Sequence, residues 1–464
     1  MKRPPGLSEV KEMETIQKRP PLFTNKMLVA MTIPIILDAL LTIAAGMVDS
    51  AMVSSAGEAA VSAVSLVDAI NLLFLTAFSG IAIGGSVVTS QYIGKRDYKN
   101  ATVSANQLLY AAAGLSVVMT LLLLCFHVPL LRLIYGKIDA DVFENARVYF
   151  AITLLGYPFS AIGGSSAAVL RSMGKTRQAV SITVAFNIVN VIGNATLIYG
   201  FHMGVAGAAI STTISRVVYA VSGLWLAHNK KLPAHFEKVL KFHLDFDVMR
   251  RVLRIGVVNG MENSLFYIGK ILISSLLSTF GTIAIAANSV SNTINNIGWT
   301  IVGSFGTVLL PVVGQCIGAG EPEQAKQNMK KILTAATVLT YTLFGTVFLL
   351  RNQLVQLFDF SQEALQASAY YTGVLAVFSM VSFYSFAFVP VHAFRAAGDI
   401  RYTTTLSLSS MFAFRVALVY VIHWLFPASG LMCVNIGMLV DWSFRSVMNF
   451  FHYRSGKWLK KRLV

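Results

Sequence analysis

The sequence predicts an all-α membrane protein: twelve transmembrane helices in two parallel six-helix repeats around a central cleft. Three observations lead there: an apolar composition, a gapless internal repeat, and basic residues gathered on one side. Of 464 residues, 55% are hydrophobic and 12% charged, with a mean hydropathy of +0.65. So apolar a chain cannot cover itself with a water-soluble surface. A bilayer crossing needs about 20 mostly apolar residues. Twelve such segments centre near Leu40, Phe74, Val117, Leu155, Val189, Val217, Ile268, Ile297, Val338, Ser379, Ala413 and Met438.

The repeat has a fixed offset of 224 residues. Gly57 to Ala101 laid on Gly281 to Ala325 gives 12 identities in 45 positions without a gap, and Arg171, Gly174 and Arg177 meet Arg395, Gly398 and Arg401 farther on. A membrane protein made of two copies of one helical unit reads first as a transporter. An even number of spans separates the copies, so both enter the bilayer in the same direction.

A net charge of +16 raises the question of nucleic acid, and placement decides it. Of 37 Lys and Arg, 29 fall on the side that holds both termini, four on the other side and four inside spans. This is the positive-inside pattern, which places both termini in the cytoplasm and makes the basic excess a matter of topology.

Taken in order, residues 1–26 hold four prolines, many charges and no apolar run, and read as a cytoplasmic tail rather than a signal peptide. Residues 27–227 form the first six-helix lobe. Its first span carries Asp38 and Asp49, eleven residues apart and hence within about 20° on one helical face and about 16 Å along it. Two carboxylates on one stripe suit a cation or an exchanging proton, whereas capping by a neighbouring hydroxyl is the bland alternative. In the second span stand Asp68 and Asn71. Arg216, in the sixth, is expected to snorkel to the inner interface.

Residues 228–254 are the cytoplasmic linker. Their stretch Phe236, Leu240, Leu244, Met249, Leu253 reads either as an amphipathic surface helix or as plain linker. The second lobe covers 255–453, followed by a tail over 454–464. Its first span bears Glu262, with Lys270 two turns on, at about 80° around the helix, as the one opposite charge evident nearby. An acid there suits proton exchange or attraction of an organic cation, against a structural pair with Lys270 or with another helix. The eighth span presents Asn288, Asn292, Asn295, Asn296 and Trp299 within about 100° of arc. Asn292 and Asn295 repeat Asp68 and Asn71. Either both stripes line one cavity, or they hydrogen-bond helix to helix within each bundle. Tyr267, Tyr384 and Met380 offer aromatic and adaptable contacts for a ligand. Asp441 and Arg445, spaced i, i+4, are expected to pair; Arg415 and His392 are given no role. Cys125, Cys316 and Cys433 are too scattered for a disulfide framework or a metal site.

Both inner loops after the second and eighth spans carry Gln-x-Ile-Gly with Ala seven residues on: Gln91, Ile93, Gly94, Ala101 and Gln315, Ile317, Gly318, Ala325. With Pro34, Val48-Asp49-Ser50-Ala51-Met52-Val53, Arg171-Ser172-Met173-Gly174-Lys175, Arg395-Ala396-Ala397-Gly398-Asp399 and Gly204-Val205-Ala206-Gly207-Ala208-Ala209, the chain resembles the multidrug and toxic compound extrusion (MATE) family over nearly its whole length.

The resemblance implies two lobes facing across a cleft and efflux driven by entry of Na⁺ or H⁺. It also implies coupling residues in the first lobe. Asp49 matches the first-span aspartate of members similar to DNA-damage-inducible efflux proteins, and Asn190 and Thr212 match that site's polar residues. Asn194 stands where those members often have Asp, which weakens a tight Na⁺ site and leaves Asp49 as proton carrier. Glu262 resembles the seventh-span acid of many relatives.

No phosphate-binding Gly-Lys-Ser/Thr loop supports ATP drive, and Asp38 with Asp49 forms no Asp-rich motif of a prenyl-type transferase. The expectation is therefore a monomeric, non-enzymatic antiporter of the cytoplasmic membrane, without cofactor. It expels small amphipathic, cationic aromatic compounds against H⁺ or Na⁺. A lipid-linked saccharide flippase of the same superfamily would have a more basic cavity, whereas here the expected cavity acids outnumber the bases. A passive channel or receptor would show no gradient-driven accumulation.

Overall fold

The computed structural model describes residues 20–136, 138–237, 243–461 and 463–464, and among these there is no strand. One lobe is α1 (Asn25–Ser54), α2 (Glu58–Gly94), α3 (Tyr98–Tyr135), α4 (Ala140–Leu155 and Tyr157–Ser172), α5 (Thr176–Gly200) and α6 (Gly204–Ala227). The other is α7 (Phe246–Leu277), α8 (Thr282–Gly318), α9 (Pro322–Val355), α10 (Gln362–Val381 and Tyr384–Ala396), α11 (Ile400–Leu425) and α12 (Leu431–Ser455). Among the described residues nine of these helices, ten with the bent α4, are apolar and long enough to cross a membrane on that ground alone. The remaining two, α7 and α12, carry Glu262 with Lys270 and Asp441 with Arg445 in their midst, and the fold places them with the others.

Local chemistry sets the helix ends. Thr24 accepts from Met27 N, Asp97 from Asn100 N and Asp245 from Asp247 N and Val248 N, each satisfying donors that the first turn leaves free. Gly57 and Gly281, one repeat apart, open α2 and α8 at φ 101° and 87°, a region closed to most side chains. Both fourth helices break: α4 bends by 46° at Gly156, ahead of Pro158, and α10 at Ser382 and Phe383, the latter at φ 51°. Both fifth helices contain a π-helical stretch, Ala195–Gly200 and Met411–Ala417.

The inter-lobe segment is shorter than expected, because α7 begins at Phe246 rather than near 255. Of the candidate surface helix, Leu240 lies outside the described residues, Phe236 is buried but in no helix, and Met249 and Leu253 belong to α7.

The lobes meet along α2, α7 and α8. A Cβ on Gly80 would sit 2.7 Å from Gly260 N, and one on Gly84 2.8 Å from Gly256 N, so these four glycines let two backbones touch. Nearer the basic end the repeated motif closes on itself: a Cβ on Gly94 would overlap the Gln315 carbonyl, and one on Gly318 the Gln91 carbonyl. The amides then cross between lobes. Gln91 Nε2 donates to Ala396 O at 2.6 Å, and Gln315 Nε2 to Ser172 O at 2.7 Å, with donors and acceptors alike one repeat apart.

Described residues from both terminal regions join this seam. Leu22 N donates to Gln324 at 2.9 Å, Leu463 N to Gln91 Oε1 at 3.2 Å, and Trp458 is fully buried against Phe394. Asp399 holds the tail by accepting from His452 Nε2 at 2.9 Å and from Lys461.

Candidate functional site

Exposure along the two repeated helices shows where the molecule is open. The half of α2 nearer the basic end, residues 80–93, is almost wholly buried, as is its counterpart 304–317 in α8. In the far halves Ser65, Asp68, Ala69, Leu72 and Leu73 are exposed, and their repeat partners Ser289, Thr293, Asn296 and Ile297 are exposed with them. The lobes thus seal the basic end and part toward the other, leaving the two faces as walls of a cleft.

On the first-lobe wall α1, α5 and α6 converge. Asp49 accepts from Asn194 Nδ2, whose Oδ1 is buried without a partner. Asn190 Nδ2 donates to Thr212 at 3.3 Å, and Ser211 to the Asn190 carbonyl at 2.9 Å. The residues that the resemblance grouped therefore do come together.

Beside them Asp68 accepts from Asn71 Nδ2 at 3.2 Å and from Tyr149 OH at 3.3 Å, while Tyr157 OH donates to Asn71 Oδ1 at 2.8 Å. Sequence reasoning missed α4 here. Its signal was Tyr149, Thr153 and Tyr157 at spacing four, one helical face. Arg216 does not snorkel. Its guanidinium is buried, donates to Thr153 O at 2.8 Å and lies 5.8 Å from the centre of the Tyr157 ring. The Thr153 carbonyl of α4 and the tyrosine face solvate the charge in place, which removes any need to reach water.

Asp38 does not share the wall with Asp49. It stands deeper, beside Arg171 and Thr183, with Oδ1 buried and unpartnered. Arg171 and Thr183 also line, with Ser79, Arg216 and Tyr219 among others, a partly open cavity of about 340 Å³.

The second-lobe wall departs further from expectation. Asn295 is buried and donates to Ser291 O at 2.9 Å and Thr372 O at 3.5 Å. Trp299 Nε1 donates to Ser379 at 3.2 Å, and its ring packs on Tyr384 and Trp442 at 6.1 and 5.4 Å. Asn295, Trp299 and Tyr384 are thus turned into the lobe's own core. The bundle-internal reading holds for Asn295 and Trp299 because their N–H groups donate to acceptors on α8 itself or on α10, and for Tyr384 because its ring is buried against Trp299 and Trp442. Asn288 and Asn292 stay half-buried at the flank, bonded to one another at 2.9 Å. Met380 is half-buried, its carbonyl accepting from Tyr341 OH at 3.1 Å.

Glu262 is taken. Both its oxygens accept from Arg395 Nη2 at 2.7 Å, and Thr404 adds a bond at 3.2 Å. Lys270 is not its partner. On α7 the exposed apolar residues Val257, Met261, Ile268, Ile271 and Leu272 span about 100° of arc, the lipid face, and Lys270 points about 150° away from its centre. Being exposed and turned from lipid, Lys270 faces the cleft. Its Nζ is 5.5 Å from the centres of the Phe266 and Tyr267 rings, and Arg415 lies 5.4 Å from that of Phe266. Lys270 thus sets one base across from Asp49 and Asp68, while Arg415 beside it is buried in the lobe. Asp441 and Arg445 pair at 2.8 Å as expected.

Among the described residues no group of His, Cys, Asp and Glu is placed to hold a metal ion. The MatE family model matches residues 34–196 and 260–421, once in each lobe. An uncharacterized transporter of Bacillus subtilis, YisQ, is 26% identical over 94% of this chain and 96% of its own. A probable multidrug resistance protein NorM of Thermotoga maritima is 22% identical over 95% and 94%. Among solved structures, an outward-facing multidrug resistance MATE family transporter superposes with a TM-score of 0.87 at 22% identity, over 94% of this chain and 96% of that one.

Proposed function

The chain belongs to the MatE family, and from that premise we propose that it is a secondary antiporter of the cytoplasmic membrane. It exports amphipathic compounds with a cationic, aromatic part in exchange for H⁺ or Na⁺. The basic end faces the cytoplasm, so the sealed seam and parted walls correspond to an outward-open state. The observation that carries this reading is Asp49: a carboxylate at the cleft whose one bonded neighbour is the Asn194 amide.

An amide next to the acid contributes no second negative charge, which favours a proton over Na⁺ as the ion exchanged. Protonation of Asp49 from outside weakens its hold on the cationic substrate, the substrate leaves, and the lobes rock about the α2 and α7 contact. Discharge of the proton inside then restores the anion for the next substrate. Ion and substrate compete because each favours a different state of the same two lobes. Glu262, already neutralised by Arg395, acts as a tie between α7, α10 and α11 rather than as a carrier.

Inside-out vesicles loaded by an imposed proton or Na⁺ gradient with a fluorescent organic cation test the proposal. Wild-type protein accumulates dye and Asp49→Asn falls to background, while Glu262→Gln lowers the amount of folded protein more than the coupling per molecule. Undiminished gradient-driven uptake by Asp49→Asn would refute the assignment.

A further inference from the structure

Apart from transport, we propose that the cytoplasmic end of α3 and the inter-lobe segment form a binding site for one anionic phospholipid of the inner leaflet, its phosphate met by Lys99, Lys230 and Lys231.

The site is built where the inter-lobe segment crosses α3. Asn106 Nδ2 donates to Glu237 O at 3.1 Å and Asn106 Oδ1 accepts from Glu237 N at 3.3 Å, while Gln107 Nε2 donates to His243 O at 2.7 Å. Two successive amides of one helix thus hold the segment at two points. Between helix and segment lies a partly open space of about 770 Å³, lined by Tyr98, Lys99 and Thr102 on α3 and by Lys230, Lys231 and His235 on the segment, among others. Among the described residues its three lysines share the lining with a single carboxylate, Glu237. Gln107 also lines it and is almost wholly buried, and neither Gln107 Oε1 nor His235 Nδ1 has a hydrogen-bond partner among the described residues. Buried polar atoms left unpaired are costly. A headgroup that carries both phosphate oxygens and hydroxyls supplies an acceptor for the imidazole and a donor for the amide.

What adjoins the space makes the occupant a lipid rather than a soluble phosphate. At 100° per residue, the lining residues Val103, Gln107 and Tyr110 fall within about 80° of arc with Gly114, Val118, Leu121 and Cys125, a single stripe along α3. Its outer part is exposed, Val118 by 53% and Leu121 by 60%, and is the apolar face that α3 turns to the bilayer. Its inner part runs into the basic space. Acyl chains lying along the stripe therefore deliver their headgroup to the lysines. The depth agrees: Trp225 near the end of α6 is 77% exposed, an aromatic at the level of the interface, and Lys230 and Lys231 follow just beyond it. On the cytoplasmic side such lysines meet a leaflet that carries anionic lipid.

The test is native mass spectrometry of the full-length protein in detergent, equilibrated with equal amounts of dioleoyl phosphatidylglycerol and dioleoyl phosphatidylcholine. One phosphatidylglycerol is expected to be retained about tenfold more strongly than phosphatidylcholine. The triple variant Lys99→Gln, Lys230→Gln, Lys231→Gln should bring that ratio close to unity, and Lys99→Arg, Lys230→Arg, Lys231→Arg should keep it. All three lysines are exposed, so the fold does not depend on them. Lys330→Gln, Lys457→Gln, Lys460→Gln removes as many exposed charges elsewhere on the basic end and should leave the ratio unchanged. Retention indifferent to headgroup charge overturns the proposal, as does a preference that survives loss of the three lysines or falls equally in the distant triple. Free sn-glycerol 3-phosphate, added at the concentration of the lipid, should leave the lipid bound because it lacks the chains that lie on α3. Release by it would make the site one for soluble phosphates and overturn the lipid assignment. None of these readouts involves transport, so the site stands or falls separately from the antiport reading.

Discussion

Asp399 illustrates how one side chain fastens a whole segment. Burial opposes its charge, yet the hydrogen bonds and positive charge of His452 and Lys461 prevail and hold its carboxyl below the ordinary carboxylate range. A group so depressed stabilises the fold fully above its unfolded value, near 4, and loses that contribution only as pH falls through the lower folded value. The tail is therefore anchored throughout the neutral range. Asp399→Asn removes the anchor at every pH. With Lys461 half exposed, the loss is on the order of 1–2 kcal/mol, which raises the released fraction roughly tenfold. Trypsin cleavage at Lys457 and Lys460, followed by mass spectrometry, should speed up accordingly, and an unchanged rate would show that Trp458 suffices alone. At this scale the sequence spoke unevenly. Asp49 and Asn194 were legible through the motifs around them. Trp299 and Tyr384 were not, since an aromatic at helical spacing looks the same in a core as on a cleft wall. The Glu262 to Arg395 pair spans 133 residues, and no local spacing encodes it.

Helix α2 owes its place to small residues. The backbone approach at Gly84, where a Cβ would come within 2.5 Å of Val252 O, leaves no flexible side chain to give way. Gly84→Leu is expected to cost about 1–3 kcal/mol or more and to lower the thermal midpoint of the detergent-solubilised protein by several degrees. Gly345→Leu on α9 is the control, because nothing lies within 4 Å of its added Cβ. Equal shifts in the two would mean that general helix effects, not the interlobe contact, explain the loss. Most spans and their order were readable from hydropathy, whereas α7 and α12, with charges in their midst, are placed by the fold. The breaks in α4 and α10 were not anticipated, although Gly156 with Pro158 marks the first in the sequence. What decides the face of α7 that meets the cleft is the arc of Val257, Met261 and Ile268, a pattern present in the sequence but meaningful only once lipid and partner helices are assigned.

For the whole molecule the 224-residue offset foretold the most. It gave two parallel lobes, and in the structure it also pairs the crossed amides: Gln91 to Ala396 and Gln315 to Ser172. Since both bonds bridge the same seam, Gln91→Ala and Gln315→Ala should each shift the lobes toward the inward-open state to a similar extent. Spin labels at the repeat-equivalent Lys95 and Ala319 would report this as a longer distance population in either variant. A response to only one of them would mean that the seam is functionally lopsided, as the extra bond from Leu463 N to Gln91 would make it. A reciprocal closure of this kind says something about ancestry. A six-helix forebear that dimerised with itself in this parallel arrangement would need a single glutamine to make both bonds, one from each subunit. Fusion into one chain then freed each copy to diverge everywhere except where it must still answer the other.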